Sequence, residues 1–114
     1  MINELQGRLF KFSVEVIKEV RNLPTTIEFK VISYQILKSA TSVGANYEEA
    51  QGAVSKADFS NKVAISLKEM RETNYWIRII NEIQNDKKNW YKLDEESKEL
   101  MKILGAIYSK TSKK

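Results

Sequence analysis

Glu48, Glu49 and Asp58 flank one turn of the chain, around Gly52. Carboxylates gathered in this way suggest a metal site. Helical bundles that hold paired metals, however, draw Glu-x-x-His pairs from facing helices, and this sequence has no histidine. The three acids read better as structural charges. Asp58 favours the N-terminus of its helix, and the two glutamates face solvent or pair with Lys56 and Lys62. Cysteine is absent as well, which removes thiol nucleophiles, disulfides and thiolate metal sites. Without histidine the commonest general base is missing. These residues argue against an enzyme and imply no metal and no cofactor.

A second group points to binding. Arg71 and Arg78 are a heptad apart, hence on nearly the same helix face, with Lys68 close by and Tyr75 between them. Such a strip can track phosphates while the tyrosine stacks on a base. In a single chain it reads as an ordinary solvated face, because Glu72 and Glu82 lie alongside. Repetition in an oligomer changes that, since a modest charge per chain sums into a strong field. The net charge of +4 is compatible with nucleic acid without demanding it. Asn46 and Asn74 allow two readings, a buried amide network that sets register or amides at a bundle edge that reach water. Ile65, Trp76, Ile79 and Ile83 fall about 120° or more from the main apolar seam of their helix at about 100° per residue. An interface with a partner is the preferred reading of that second face, with Trp76 as its anchor.

The elements that carry these residues follow from apolar spacing. Helix one is expected over 3–22, with Leu5, Leu9, Phe12, Val16 and Val20 in one stripe and Phe10, Val14 and Ile17 in a shorter second strip. Pro24 stops it, and Thr25 or Thr26 is placed to cap the next helix. Helix two is expected over 27–51, with Phe29, Ile32, Ile36, Ala40, Val43, Tyr47 and Ala50 as its seam. Ile27, Val31, Tyr34, Leu37, Thr41 and Ala45 lie across from that seam. Gly44, a poor helix former, suggests a close approach by another backbone where a larger side chain would not fit. Gly52 ends the helix. Ser55 and Asp58 then mark the start of helix three, expected over 56–85. Asn85–Lys88 reads as a polar break, and Asp94-Glu95-Glu96 as the acidic first turn of helix four, expected over 94–109. Four amphipathic helices with short turns predict one all-α domain over 1–114, an antiparallel up-and-down four-helix bundle. The N-terminus lacks the regions of a signal peptide and no apolar run matches a membrane span, so the expected location is cytoplasmic.

The central stretch adds a resemblance. Ser39 to Ala50 (SATSVGANYEEA), Ser55 to Phe59 (SKADF), Ile65 to Glu69 (ISLKE) and Glu72 to Trp76 (ETNYW) resemble the bacterial four-helix-bundle family associated with intervening sequences of 23S ribosomal RNA genes, also labelled S23 ribosomal protein. Ser42, Gly44, Asn46, Glu49, Asp58 and Phe59 carry the motif. Many members have Ile-Ala-Glu-Gly after the asparagine; Tyr-Glu-Glu-Ala follows Asn46 here, which places the chain in a divergent branch. The resemblance implies assembly into a homopentameric ring, and kinship with the accessory protein of diversity-generating retroelements, a pentamer that binds nucleic acid and a reverse transcriptase. It brings no catalytic residues.

The expected function is therefore a non-enzymatic oligomeric bundle that binds RNA or DNA through its pooled basic surface, alongside a nucleic-acid enzyme or without one. The alternative is a protein-interaction scaffold with no direct nucleic-acid role.

Overall fold

Asn3 opens the first helix with a capping box. Its side chain accepts the backbone N–H of Gln6 at 2.7 Å, and the Gln6 side chain accepts the backbone N–H of Asn3 at 3.0 Å. The computed structural model describes residues 3–84 and 88–112, which form four α-helices: α1 (Glu4–Val20), α2 (Ile27–Gln51), α3 (Lys56–Ile83) and α4 (Lys88–Thr111). The α1 helix is two residues shorter at its end than the spacing predicts. The N–H groups of Asn22 and Leu23 turn back to Glu19 and Val20 at 3.0 and 3.1 Å, closing a tight turn before Pro24. Thr26 holds the cap position of α2, but its side chain accepts no capping bond.

Cross-helix bonds fix the directions. Gln6 meets Glu48 and Ser13 meets Ala40 between α1 and α2. Ser66 meets Val43 and Thr73 meets Ser39 between α2 and α3. Asn74 meets Ser97 and Asn81 meets Trp90 between α3 and α4. In each pair, rising numbers on one helix meet falling numbers on the next. The same holds for Arg8–Glu96 and Glu19–Asn89 between α1 and α4. The molecule is thus an antiparallel up-and-down four-helix bundle, 46 Å along its long axis, about the length of the 28-residue α3 at about 1.5 Å per residue.

The seams meet along the axis. Leu9, Phe12 and Val16, with Ile36, Ala40 and Val43, face Val63, Met70, Ile77 and Ile80, and Trp90, Leu100 and Leu104 close the fourth side. Small polar residues let α2 and α3 approach closely. Ser66 Oγ donates to the Val43 carbonyl at 2.7 Å, and Thr73 Oγ1 to Ser39 Oγ at 2.8 Å, so each buried hydroxyl has a partner.

Two expectations need correction here. The α4 helix begins at Lys88 and not at Asp94, because Trp90 and Leu93 extend the stripe of Ser97, Leu100 and Leu104 back by about two turns and are buried. The expected end of α3 at Asn85, like most of the expected polar break, lies outside the described residues. Gly44 does face another helix, but a Cβ there would meet Ser13 Oγ at 3.6 Å and Leu9 Cβ at 3.8 Å. Those are ordinary contacts, so a methyl group fits.

Candidate nucleic-acid interface

The α3 helix is built for accuracy at its start and for exposure along its length. Ser55 Oγ accepts the N–H of Asp58 at 3.0 Å, and the Asp58 carboxylate accepts the N–H of Val54 at 3.2 Å. From this cap Val63, Leu67, Met70, Asn74 and Ile77 turn inward. Their helical period leaves Lys68, Arg71, Tyr75 and Arg78 on a separate exposed strip. The strip covers about 15 Å of helix at about 1.5 Å per residue.

The strip's cations lie beside Glu72 and the exposed Glu82 without a direct ion pair to either among the described residues. Among the described residues the ion pairs are Arg8–Glu96, Lys62–Glu49 and Lys98–Asp94, and none involves Lys68, Arg71 or Arg78. The sequence puts Glu72 alongside, but its carboxylate accepts the indole N–H of Trp76 at 3.1 Å. Trp76 in turn meets Tyr75 edge to face, with centroids 5.1 Å apart and planes at 71°. The Arg78 guanidinium lies 5.6 Å from the centre of the Tyr75 ring, and its Nε donates to Asn74 Oδ1 at 3.0 Å.

Of the two amides left open by the sequence, Asn74 is the buried one. Its Nδ2 donates to Asp94 Oδ1 at 2.9 Å and to Ser97 Oγ at 2.8 Å. With Arg78 on its oxygen, it ties the exposed strip to α4. Asn46 is half-buried and donates only within α2, to the Ser42 carbonyl and hydroxyl at 2.9 and 3.0 Å. The other motif residues are likewise engaged in packing and capping. Gly44 faces α1, Phe59 packs against the core, Asp58 holds the N–H of Val54 just ahead of the Ser55 cap, and Glu49 pairs with Lys62 across α2 and α3 at 2.9 Å. Hydrogen bonding to Glu49 holds the Lys62 pKa above its ordinary value. The stabilisation from that shift is complete below the ordinary lysine value and is lost only as pH rises through the raised one, so the pair is intact at neutral pH. Glu48, expected to pair with lysine or face solvent, accepts from Gln6 Nε2 at 3.0 Å.

The second face of α3 is divided. Ile65 and Ile83 are exposed, whereas Trp76 and Ile79 are half-buried against the chain's own core. Trp76 therefore does not project as a free anchor. More open apolar side chains lie on α1 and α2, with Phe10 70%, Ile27 80%, Val31 56% and Tyr34 65% exposed. Phe10, Val14 and Ile17 of α1 line a groove of about 310 Å³ with Thr41, Gly44 and Ala45 of α2. These residues belong to the second apolar strips that spacing alone marks on helices one and two. A larger groove of about 610 Å³ between α1 and α4 holds both signs of charge, Arg8, Lys11 and Lys92 with Glu15, Glu19 and Glu96. Arg8 donates to both Glu96 oxygens, at 3.2 and 2.8 Å, which raises its pKa further. This balanced groove selects neither anion nor cation. No helix among the described residues is long and apolar enough to cross a membrane.

Comparison with known proteins agrees with the four-helix fold. The family model described as 23S rRNA-intervening sequence protein matches residues 4–106. A crystal structure of a protein of unknown function from the S23 ribosomal protein family, from Bacteroides thetaiotaomicron, superposes with a TM-score of 0.83 at 34% sequence identity, covering 91% of this chain and 97% of that one. No curated protein matches the chain. A match over nearly the whole bundle, in both sequence and shape, makes this chain a member of the 23S rRNA-intervening sequence protein family.

Proposed function

We propose that this protein is a non-enzymatic homo-oligomer that binds RNA or DNA through basic strips pooled from several copies. The observation that carries the reading is the strip Lys68–Arg71–Arg78, exposed and without a carboxylate partner among the described residues. Exposed cations that need not release an internal partner are the ones that displace counterions from a phosphate backbone. Assembly is supported by the apolar groove in which Phe10, Val14 and Ile17 of α1 meet Thr41, Gly44 and Ala45 of α2, since exposed apolar patches mark interaction sites. A pentameric ring is the form that the family resemblance implies.

Filter binding of structured RNA across a salt series tests this reading. Wild type is expected to lose affinity steeply with salt, and the triple variant Lys68→Glu, Arg71→Glu, Arg78→Glu to bind at least tenfold more weakly at low salt. A flat salt response, or a triple variant that binds like wild type, overturns it.

A second reading, a scaffold that docks a partner protein, is favoured by one observation. Phe10, Ile27, Val31 and Tyr34 expose more apolar surface than Ile65, Tyr75 and Ile83 of α3 do. It predicts that the triple charge reversal leaves cellular function intact while Phe10→Glu abolishes it.

A further inference from the structure

We propose that Tyr75 and Arg78 form a receptor for an unpaired nucleotide, so that the strip on α3 takes single-stranded RNA or DNA in preference to duplex. This rests on the nucleic-acid reading above and narrows its ligand class.

Both members of the couple are braced before any ligand arrives. Arg78 Nε is held by Asn74 Oδ1 at 3.0 Å, and Asn74 is itself held by Asp94 and Ser97 of α4. The Tyr75 ring is braced by Trp76, whose indole N–H is fixed by Glu72. A guanidinium fixed through Nε keeps its terminal amino groups for a phosphate, which they bind as a fork. Tyr75 is 47% exposed, with the guanidinium over its ring at 5.6 Å from the centre, so ring and guanidinium plane form one exposed platform. Together the two offer a cation and a ring within one nucleotide's reach.

Strandedness follows from what each form of nucleic acid presents. In a duplex the base faces are stacked inside and only edges and backbone reach the surface, whereas an unpaired base can lie on an aromatic ring or on a guanidinium plane. The location agrees. Because Arg78 is tied through Asn74 to α4, the strip runs along the shoulder where α3 meets α4. It is not the crest of a protruding helix of the kind that enters a major groove.

Fluorescence anisotropy with a labelled 12-nucleotide oligouridine strand, and with a 12-base-pair RNA duplex, tests this on the full chain. Wild type is expected to bind the strand about tenfold or more tightly than the duplex. Tyr75→Leu is expected to weaken strand binding about fivefold or more, the lower end for loss of one stacked base, and to leave duplex binding unchanged. Arg78→Lys retains the charge but loses the fork. It is expected to weaken strand binding by a similar factor with an unaltered salt slope. Both side chains are exposed, and circular dichroism checks that the helices persist. Equal affinity for strand and duplex, or a Tyr75→Leu variant with wild-type strand affinity, overturns this proposal while salt-sensitive binding leaves the broader reading standing. A Tyr75→Leu variant that changes the assembled mass but not strand affinity assigns the couple to assembly and also overturns it. Absence of binding to either probe removes both proposals.

Discussion

Gly44 and Asn74 have opposite tolerances, for reasons visible in what surrounds each. An added methyl group at Gly44 reaches only ordinary contact with Ser13 and Leu9, and alanine is the better helix former by about 0.8–1 kcal/mol. Gly44→Ala is therefore expected to raise stability by up to about 1 kcal/mol in urea denaturation; a loss of similar size contradicts the spacing described. Asn74 has no such freedom. Its amide serves Asp94, Ser97 and Arg78 at once, and a leucine of similar shape leaves the Asp94 and Ser97 side chains without it. Asn74→Leu is expected to destabilise the fold by about 1–3 kcal/mol, the cost of orphaned polar groups, again read by urea. The sequence leaves Asn74 between a buried network and a bundle edge, because Asp94 and Ser97 meet it only once α3 and α4 pack.

At the scale of the helix, local chemistry was legible where it was local. Ser55 and Asp58 announce the start of α3; Ser55 makes the capping bond that its spacing implies, while Asp58 reaches one residue further back, to the N–H of Val54. The start of α4 was misplaced because Asp94-Glu95-Glu96 imitates an acidic first turn. In the fold Asp94 serves Asn74 and Lys98, and Glu96 serves Arg8. What draws the helix back to Lys88 is burial of Trp90, whose carbonyl also accepts from Asn81 Nδ2 at 3.3 Å. Trp90→Ala is expected to cost about 3–5 kcal/mol, as for a large buried aromatic. A cost below about 1 kcal/mol contradicts a packed first turn, since such small effects belong to surface positions. The freedom of the basic strip was equally hidden. Glu72 sits beside Arg71 in the sequence, and only the rotamer that sends its carboxylate to Trp76 removes it as a partner.

On the scale of the whole molecule, the seams that close the bundle leave apolar surface over. Phe10, Ile27, Val31 and Tyr34 on α1 and α2, with Ile65 and Ile83 on α3, remain open after every helix has found its neighbours. The existence of second apolar strips was readable from spacing alone. Which strip stays open was not, since Trp76 and Ile79 bend back onto the core while Phe10 does not. Pooling of the strip Lys68–Arg71–Arg78 requires copies to meet through such surface, so mass in solution bears on the account more directly than any activity. Multi-angle light scattering of the wild-type chain at micromolar concentration is predicted to give a mass near five times the 13.2 kDa of one chain. A steady mass of a single chain across that range contradicts the account.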